Sequence, residues 1–183
     1  MKLKPGRLVA ILAVFACGGL LLAQVGASAP KSKDDPADIQ ARKVERGRKT
    51  IQMLDDIYKS AIVLITEKYV HSDDDLPAGT AFKALFSAVK KKGWHEIRLL
   101  DGTGEPIEQV NVPRDEFEKT AMKEILGGKA YYDQVVEIEG KPFLRAATAL
   151  PAVMKKCAMC HPNYEDVKEG QAIGALSYTL PLE

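Results

Sequence analysis

The stretch Thr80–Leu100, TAFKALFSAVKKKGWHEIRLL, decides the fold class because the spacing of its apolar residues changes partway along it. In its first part apolar side chains recur every three or four residues, which predicts a helix from Thr80 to Lys92. Gly93 then favours a helix end. Beyond that glycine the apolar period becomes two, which predicts a strand with one mostly apolar face. That face carries His95, Ile97 and Leu99.

A longer helix is predicted upstream, from Ile39 to about Val70. Its apolar stripe recurs at three- and four-residue steps and comprises Ile51, Leu54, Tyr58, Ala61 and Ile65. This stripe is wider than packing against a single neighbouring element requires, because it also includes Ile57, Val63 and Leu64. We therefore expect a homodimer in which a second subunit covers one side of the N-terminal helix.

Downstream, the sequence predicts one further helix among turns and strands. Asp101–Gly104 is a tight turn, and Pro106–Val112 is expected to return as the hairpin partner of the first strand. The remaining predicted elements are a helix over Arg114–Leu126, strands over Ala130–Ile138 and Pro142–Leu150, and a final strand over Ile173–Leu180. This order predicts an α+β domain with an antiparallel sheet.

Length and composition limit the possible classes of protein. The 183 residues allow one domain, or one domain with an appendage. Hydrophobic residues at 46% and charged residues at 28% exclude a wholly disordered chain. Lys and Arg total 26 against 25 Asp and Glu, so no excess of basic residues points to nucleic acid as a partner.

The N-terminus has the layout of a secretory signal peptide, because a positively charged start precedes the apolar run Leu8–Ala23. Small residues allow cleavage after Ala27 or after Ala29. We favour Ala27, since Pro30 would directly follow the second bond. The expected layout is a signal peptide over 1–27, a flexible tether over 28–38 and a single domain over 39–183.

Two other interpretations of this segment are open. An uncleaved apolar run is long enough to serve as a single membrane anchor. Cys17 would be a lipidation site in a lipoprotein, although Phe15 fits that pattern poorly. All three alternatives place the domain outside the cytoplasm, so we expect a periplasmic or secreted protein.

Cys157-Ala158-Met159-Cys160-His161 carries the chemistry, because C-x-x-C-H is the attachment signature of a c-type haem. Two thiols three residues apart are suited to thioethers with the two vinyl groups of one porphyrin. The adjacent imidazole then becomes an axial ligand of the iron. The sequence therefore predicts one covalently attached haem c, held by Cys157, Cys160 and His161.

Three other roles for this motif are weaker. A thioredoxin-like pair requires a strand leading into a helix N-terminus, and Pro151 and Lys155–Lys156 precede this motif instead. A structural zinc site needs four ligands, and no fourth ligand is evident. A disulfide between Cys157 and Cys160 would give no reason for a histidine directly after Cys160.

The C-terminal third of the chain resembles the PAS-like c-type haem proteins, a family long catalogued as a domain of unknown function. The resemblance rests on Leu144–Thr148, Pro151, Cys157–His161, Gly170 and Ile173–Ser177. Members occur as extracytoplasmic sensor modules of histidine kinases and as small secreted proteins. No output segment follows Glu183, so we expect the stand-alone form.

The resemblance implies a PAS-like sheet, with haem beside a long N-terminal helix and bound by Cys157, Cys160 and His161. Members can use a cysteine of that helix as second axial ligand, but this chain has none there. The sequence offers His95, His71 and Met53 as candidate sixth ligands, with Met122 and Met154 behind them. Met159 lies inside the attachment loop and is too constrained to reach the opposite face.

Two functions remain open for such a protein. The first is electron transfer with a periplasmic redox partner, and the second is sensing of a gas or redox state through a signalling partner. A haem enzyme such as a peroxidase is disfavoured, because it needs distal acid–base groups and the chain has three histidines. A chain without an output domain favours electron transfer.

Overall fold

The structure is a computed structural model that describes residues 35–72, 75–155, 157, 161, 164–168 and 170–183. The predicted signal peptide, Cys17 and residues 28–34 of the predicted tether lie outside the described residues. The helices are α1 (Pro36–Tyr69), α2 (Ala78–Lys91) and α3 (Glu116–Leu126), with a short 3-10 helix at Gln109–Asn111. The strands are β1 (Glu96–Asp101), β2 (Tyr131–Ile138), β3 (Lys141–Pro151) and β4 (Ala172–Pro181).

The four strands form one antiparallel sheet in the order β1-β4-β3-β2. Helices α1 and α2 cover one face, where the buried core includes Ile51, Phe82 and Tyr178. Helix α3 covers the other face with Phe117 and Ile125. This arrangement confirms the α+β class and the PAS-like antiparallel sheet with a long N-terminal helix.

The predicted hairpin partner of β1 is wrong. Residues of Pro106–Val112 form turns and the short 3-10 helix, and β1 pairs with β4 instead. Proline lacks the backbone N–H that a strand ladder needs, whereas β4 is an almost entirely buried apolar strand. The Arg98 guanidinium donates hydrogen bonds to the carbonyls of Val110 and Val112. This loop is therefore held by a side chain rather than by the backbone hydrogen bonds of a strand pair.

Helix α1 begins at Pro36, inside the predicted tether. The Asp35 carboxylate accepts a hydrogen bond from the Ala37 N–H at 2.9 Å, which is typical of an N-cap. Proline is favoured at the first helical position because its missing N–H has no helical partner there. Within the described residues, no helix is long and apolar enough to cross a membrane.

Candidate functional site

A cavity of about 260 Å³ lies at one end of the sheet, on the side of α1 and α2. Its walls come from the C-terminal half of α1, the start of α2, the ends of β1 and β3, the start of β4 and the segment that follows β3. Most of the lining side chains are apolar, including Ile62, Val63, Val70, Leu99, Leu100 and Leu150. Such a lining is typical of a site for a small molecule or cofactor.

The segment between β3 and β4 brings Cys157 and His161 to the wall of this cavity. The backbone N–H of Cys157 donates to the Met154 carbonyl at 3.0 Å, and the N–H of Tyr164 donates to the His161 carbonyl at 2.8 Å. Cys160 and Met159 lie outside the described residues. The structure therefore places one thiol and the imidazole of the C-x-x-C-H motif at one cavity.

Tyr164 is a cavity residue that the sequence analysis missed. Its ring stacks on the His161 imidazole, with centroids 4.5 Å apart and planes 14° from parallel. Burial raises the pKa of Tyr164 to about 12, so the phenol is neutral at physiological pH. Tyr164 follows His161 by three positions, but this spacing alone did not show that the two rings would be in contact.

Burial also lowers the pKa of His161, although the nearby Asp101 carboxylate opposes that shift. A lowered pKa favours the neutral imidazole at neutral pH, which is the form that binds a metal ion. The Asp101 carboxylate is held by the N–H groups of Thr103 and Gly104, at 3.0 and 2.9 Å. His161 therefore lies on the cavity wall in surroundings that favour its neutral form.

Gly174 forms part of the cavity wall where β4 begins. A Cβ atom at this position would collide with the carbonyl oxygen of Leu100. The two backbones can approach so closely because glycine has no side chain.

His95, a candidate sixth ligand, does not line the cavity. Its side chain is buried in the core beneath α1 and α2, and its Nε2 lies 3.2 Å from the Tyr58 hydroxyl. Burial lowers the pKa of His95. The imidazole is thus a partnered core residue in this structure.

Of the other candidate ligands, two are exposed, one is buried on the opposite face of the sheet and one lines the cavity. His71 follows α1 on the exposed surface, and Met53 is 55% exposed on α1; neither lines the cavity. Met122 is buried beneath α3 on the opposite face of the sheet. Met154 does line the cavity, close to Cys157 on the same segment.

Lys59 is a second cavity residue that the sequence analysis missed. Its Nζ lies 2.8 Å from Asp55 Oδ2, one helical turn earlier on α1, and donates to the Ala149 carbonyl at 2.7 Å. The i,i+4 spacing of Asp55 and Lys59 was visible in the sequence. Burial of the pair depends on how α1 packs on β3 and β4, which the spacing does not show.

These residues fit a c-type haem by the chemistry of their donor set. An apolar cavity, a thiol at Cys157 and an imidazole that favours its neutral form at His161 are what thioether attachment and axial ligation require. Among the described residues, no group of three or more His, Cys, Asp or Glu side chains is arranged to hold a metal ion by itself.

Comparison with known proteins identifies the family. A family model described as Tll0287-like matches residues 35–181. The chain is similar to a structure described as the crystal structure of the cyanobacterial heme-protein Tll0287, with a TM-score of 0.49 and 12% identity, over 78% of this chain and 96% of that chain. No curated protein matches the sequence. Because the family model spans most of the chain, this protein belongs to the Tll0287-like family.

Proposed function

We propose that this protein carries one covalently attached haem c in the cavity and acts in electron transfer outside the cytoplasm. The observation that carries the proposal is that Cys157 and His161 share the wall of one apolar cavity. Family membership supports it, since the model that matches bears the name of Tll0287 and that protein is described as a heme-protein.

When bound, haem supplies one-electron redox chemistry and an iron atom that accepts axial ligands. Cys157 and Cys160 would each form one thioether to the haem, and His161 would bind its iron. Tyr164 holds the imidazole plane by stacking. The apolar side chains of α1 and β1 would make the surroundings of the haem less polar, which would strengthen electrostatic interactions there.

A second function, haem-based sensing of a small gas through a partner protein, is favoured by one observation. On the α1 wall of the cavity, Ile62, Val63 and Val70 present aliphatic side chains. If haem were bound in this cavity, these three aliphatic side chains would offer the iron no ligand, which would favour binding of a small gas molecule.

Ferric and ferrous absorption spectra, recorded with and without carbon monoxide, distinguish the two functions. For an electron-transfer protein we expect a low-spin iron with two protein ligands, whose ferrous spectrum does not change when carbon monoxide is added. A ferrous Soret band that shifts at low carbon monoxide concentration would contradict electron transfer as the primary role and support sensing.

We also propose that the protein is not an enzyme. A peroxidase-type site needs a distal acid–base pair, typically a histidine with an arginine. In this structure His71 is exposed and His95 is bonded to Tyr58, away from the cavity. A peroxidase assay of the haem-loaded protein is expected to give no turnover above that of free haem.

Export with loss of residues 1–27 is a further prediction. The charged start and apolar run of the N-terminus direct the chain to the secretion machinery. We expect intact mass and N-terminal sequencing of periplasmic material to give a chain that begins at Ser28. A chain that begins at Met1 in the membrane fraction would instead support the anchored alternative.

We propose that the N-terminal helix mediates a homodimer through an exposed apolar face. Met53, Ile57 and Leu64 lie on one side of α1 and are 55%, 54% and 54% exposed. Val63, which the sequence analysis placed with this surface, lines the cavity instead. Burying one aliphatic side chain fully contributes about 1.5–3 kcal/mol, so covering this face would stabilise a dimer.

Sedimentation across a concentration series tests the dimer. We expect the haem-loaded protein to sediment as a dimer and Ile57→Lys or Leu64→Lys to sediment as a monomer, because a buried lysine charge opposes association. Val110→Lys, at an exposed apolar position outside α1, is the matched control and should remain dimeric. A wild-type monomer at every concentration would contradict this interface.

A further inference from the structure

A partly buried ion pair has its cation on the wall of the cavity, and neither haem attachment nor iron binding by His161 requires it. The side chains of Lys59 and Asp55 are 25% and 14% exposed. Lys59 lines the cavity, and its ammonium group is fixed between the Asp55 carboxylate and the Ala149 carbonyl. The positive charge of Lys59 therefore lies on the wall of the cavity, whereas the Asp55 carboxylate does not line it.

The Asp55 carboxylate is held from the other side by the sheet. Its Oδ1 accepts hydrogen bonds from Thr148 Oγ1 at 2.5 Å and from the Tyr178 hydroxyl at 2.9 Å. Burial and the adjacent carboxylate raise the pKa of Tyr178, so this phenol stays neutral and acts as a donor. The Asp55 carboxylate therefore accepts hydrogen bonds from three donors.

A pair with the same spacing on the same helix differs in its exposure and in the distance between its charged atoms. Lys49 and Glu45 have the same i,i+4 spacing, but their side chains are 73% and 57% exposed and their charged atoms lie 3.6 Å apart. Neither residue lines the cavity. Exposed pairs act weakly on their surroundings because water screens them, whereas charges in a water-poor site act strongly.

We propose that the Lys59–Asp55 pair sets the reduction potential of the haem in this cavity, with Lys59 raising it and Asp55 lowering it. The inference rests on the proposed haem site. Reduction adds one electron to the iron and lowers the net charge of the group by one. A fixed cation at the wall therefore favours the ferrous form, and a fixed anion favours the ferric form.

Redox titration of the haem-loaded protein, followed by its visible spectrum, tests this role. At a fixed applied potential, Lys59→Met is expected to lower the ratio of ferrous to ferric protein about threefold to tenfold. Asp55→Asn is expected to raise that ratio by a smaller factor, because Lys59 lines the cavity and Asp55 does not, and the double variant should return towards wild type. A tenfold change corresponds to about 59 mV for a one-electron couple.

Matched variants separate the effect of charge on the reduction potential from the effect of side-chain packing. Lys49→Met and Glu45→Gln remove the same charges from the exposed pair and should leave the potential unchanged. Lys59→Arg keeps the cation and should stay near wild type. If Lys59→Met does not fold, Lys59→Gln provides the same test, because it also removes the cation.

Three results would overturn the inference. One is a potential that does not move in either single variant while haem is retained. Another is a shift of the same sign in both, which would indicate a change in packing or water access. The last is a change from low to high spin in Lys59→Met, which would make Lys59 an iron ligand. Failure of the haem site itself would appear earlier, as wild-type protein without covalent haem.

Discussion

Replacing His161 with alanine is expected to shift the Soret band and to convert low-spin iron to high-spin iron in the haem-loaded protein. The imidazole lies on the cavity wall, and burial favours its neutral, ligating form. An alanine side chain has no atom that can replace this ligand. We expect the whole haem population to change its spin state, because loss of an axial nitrogen ligand acts on the iron itself rather than through its surroundings.

Tyr164→Phe is the matched control for this experiment. It keeps the ring that stacks on His161 and removes only the hydroxyl group, so its spectrum should remain close to wild type. An unchanged spectrum in His161→Ala would contradict the assignment and would show that another residue binds the iron on this side.

The largest expected effect on haem content comes from the two cysteines of the motif. Cys157→Ala and Cys160→Ala should each weaken or abolish retention of haem after acid–acetone extraction, because each thiol supplies one thioether. Haem that is retained by a single thioether should give a shifted pyridine haemochrome band, since one vinyl group then stays conjugated with the porphyrin.

Cys17→Ala is the control for the loss of a thiol. It lies in the predicted signal peptide and should leave the haem content of the exported protein unchanged. Full retention of haem in both Cys157→Ala and Cys160→Ala would contradict thioether attachment at this motif.

The elements of the fold were predictable from the sequence where hydrophobic periodicity was strong. The helices and the last three strands lie close to their predicted bounds, because the spacing of apolar residues in each segment matches the period of its element. The partner of β1 was not predictable, since choosing between a nearby loop and the distant β4 depends on tertiary packing. Pro106 was the local signal against the hairpin.

The structure places Cys157 and His161 of the motif at one cavity, and haem attachment at the motif stays a prediction. The family resemblance was confirmed by the match to the Tll0287-like model. Tyr164 and Lys59 were not predicted, because ordinary residue types reach the cavity only through the path of the chain. His95 had the right chemistry for a ligand, but the same strand face that made it a candidate placed it against Tyr58.

The central claim is that the cavity beside Cys157 and His161 holds one covalently bound haem. The most direct test is the intact mass of the mature protein, produced with a cytochrome c maturation system and measured after acid–acetone extraction. We predict one species, heavier than the chain that begins at Ser28 by the mass of one haem. A protein with the mass of the bare polypeptide, and with haem in the extract, would contradict the account.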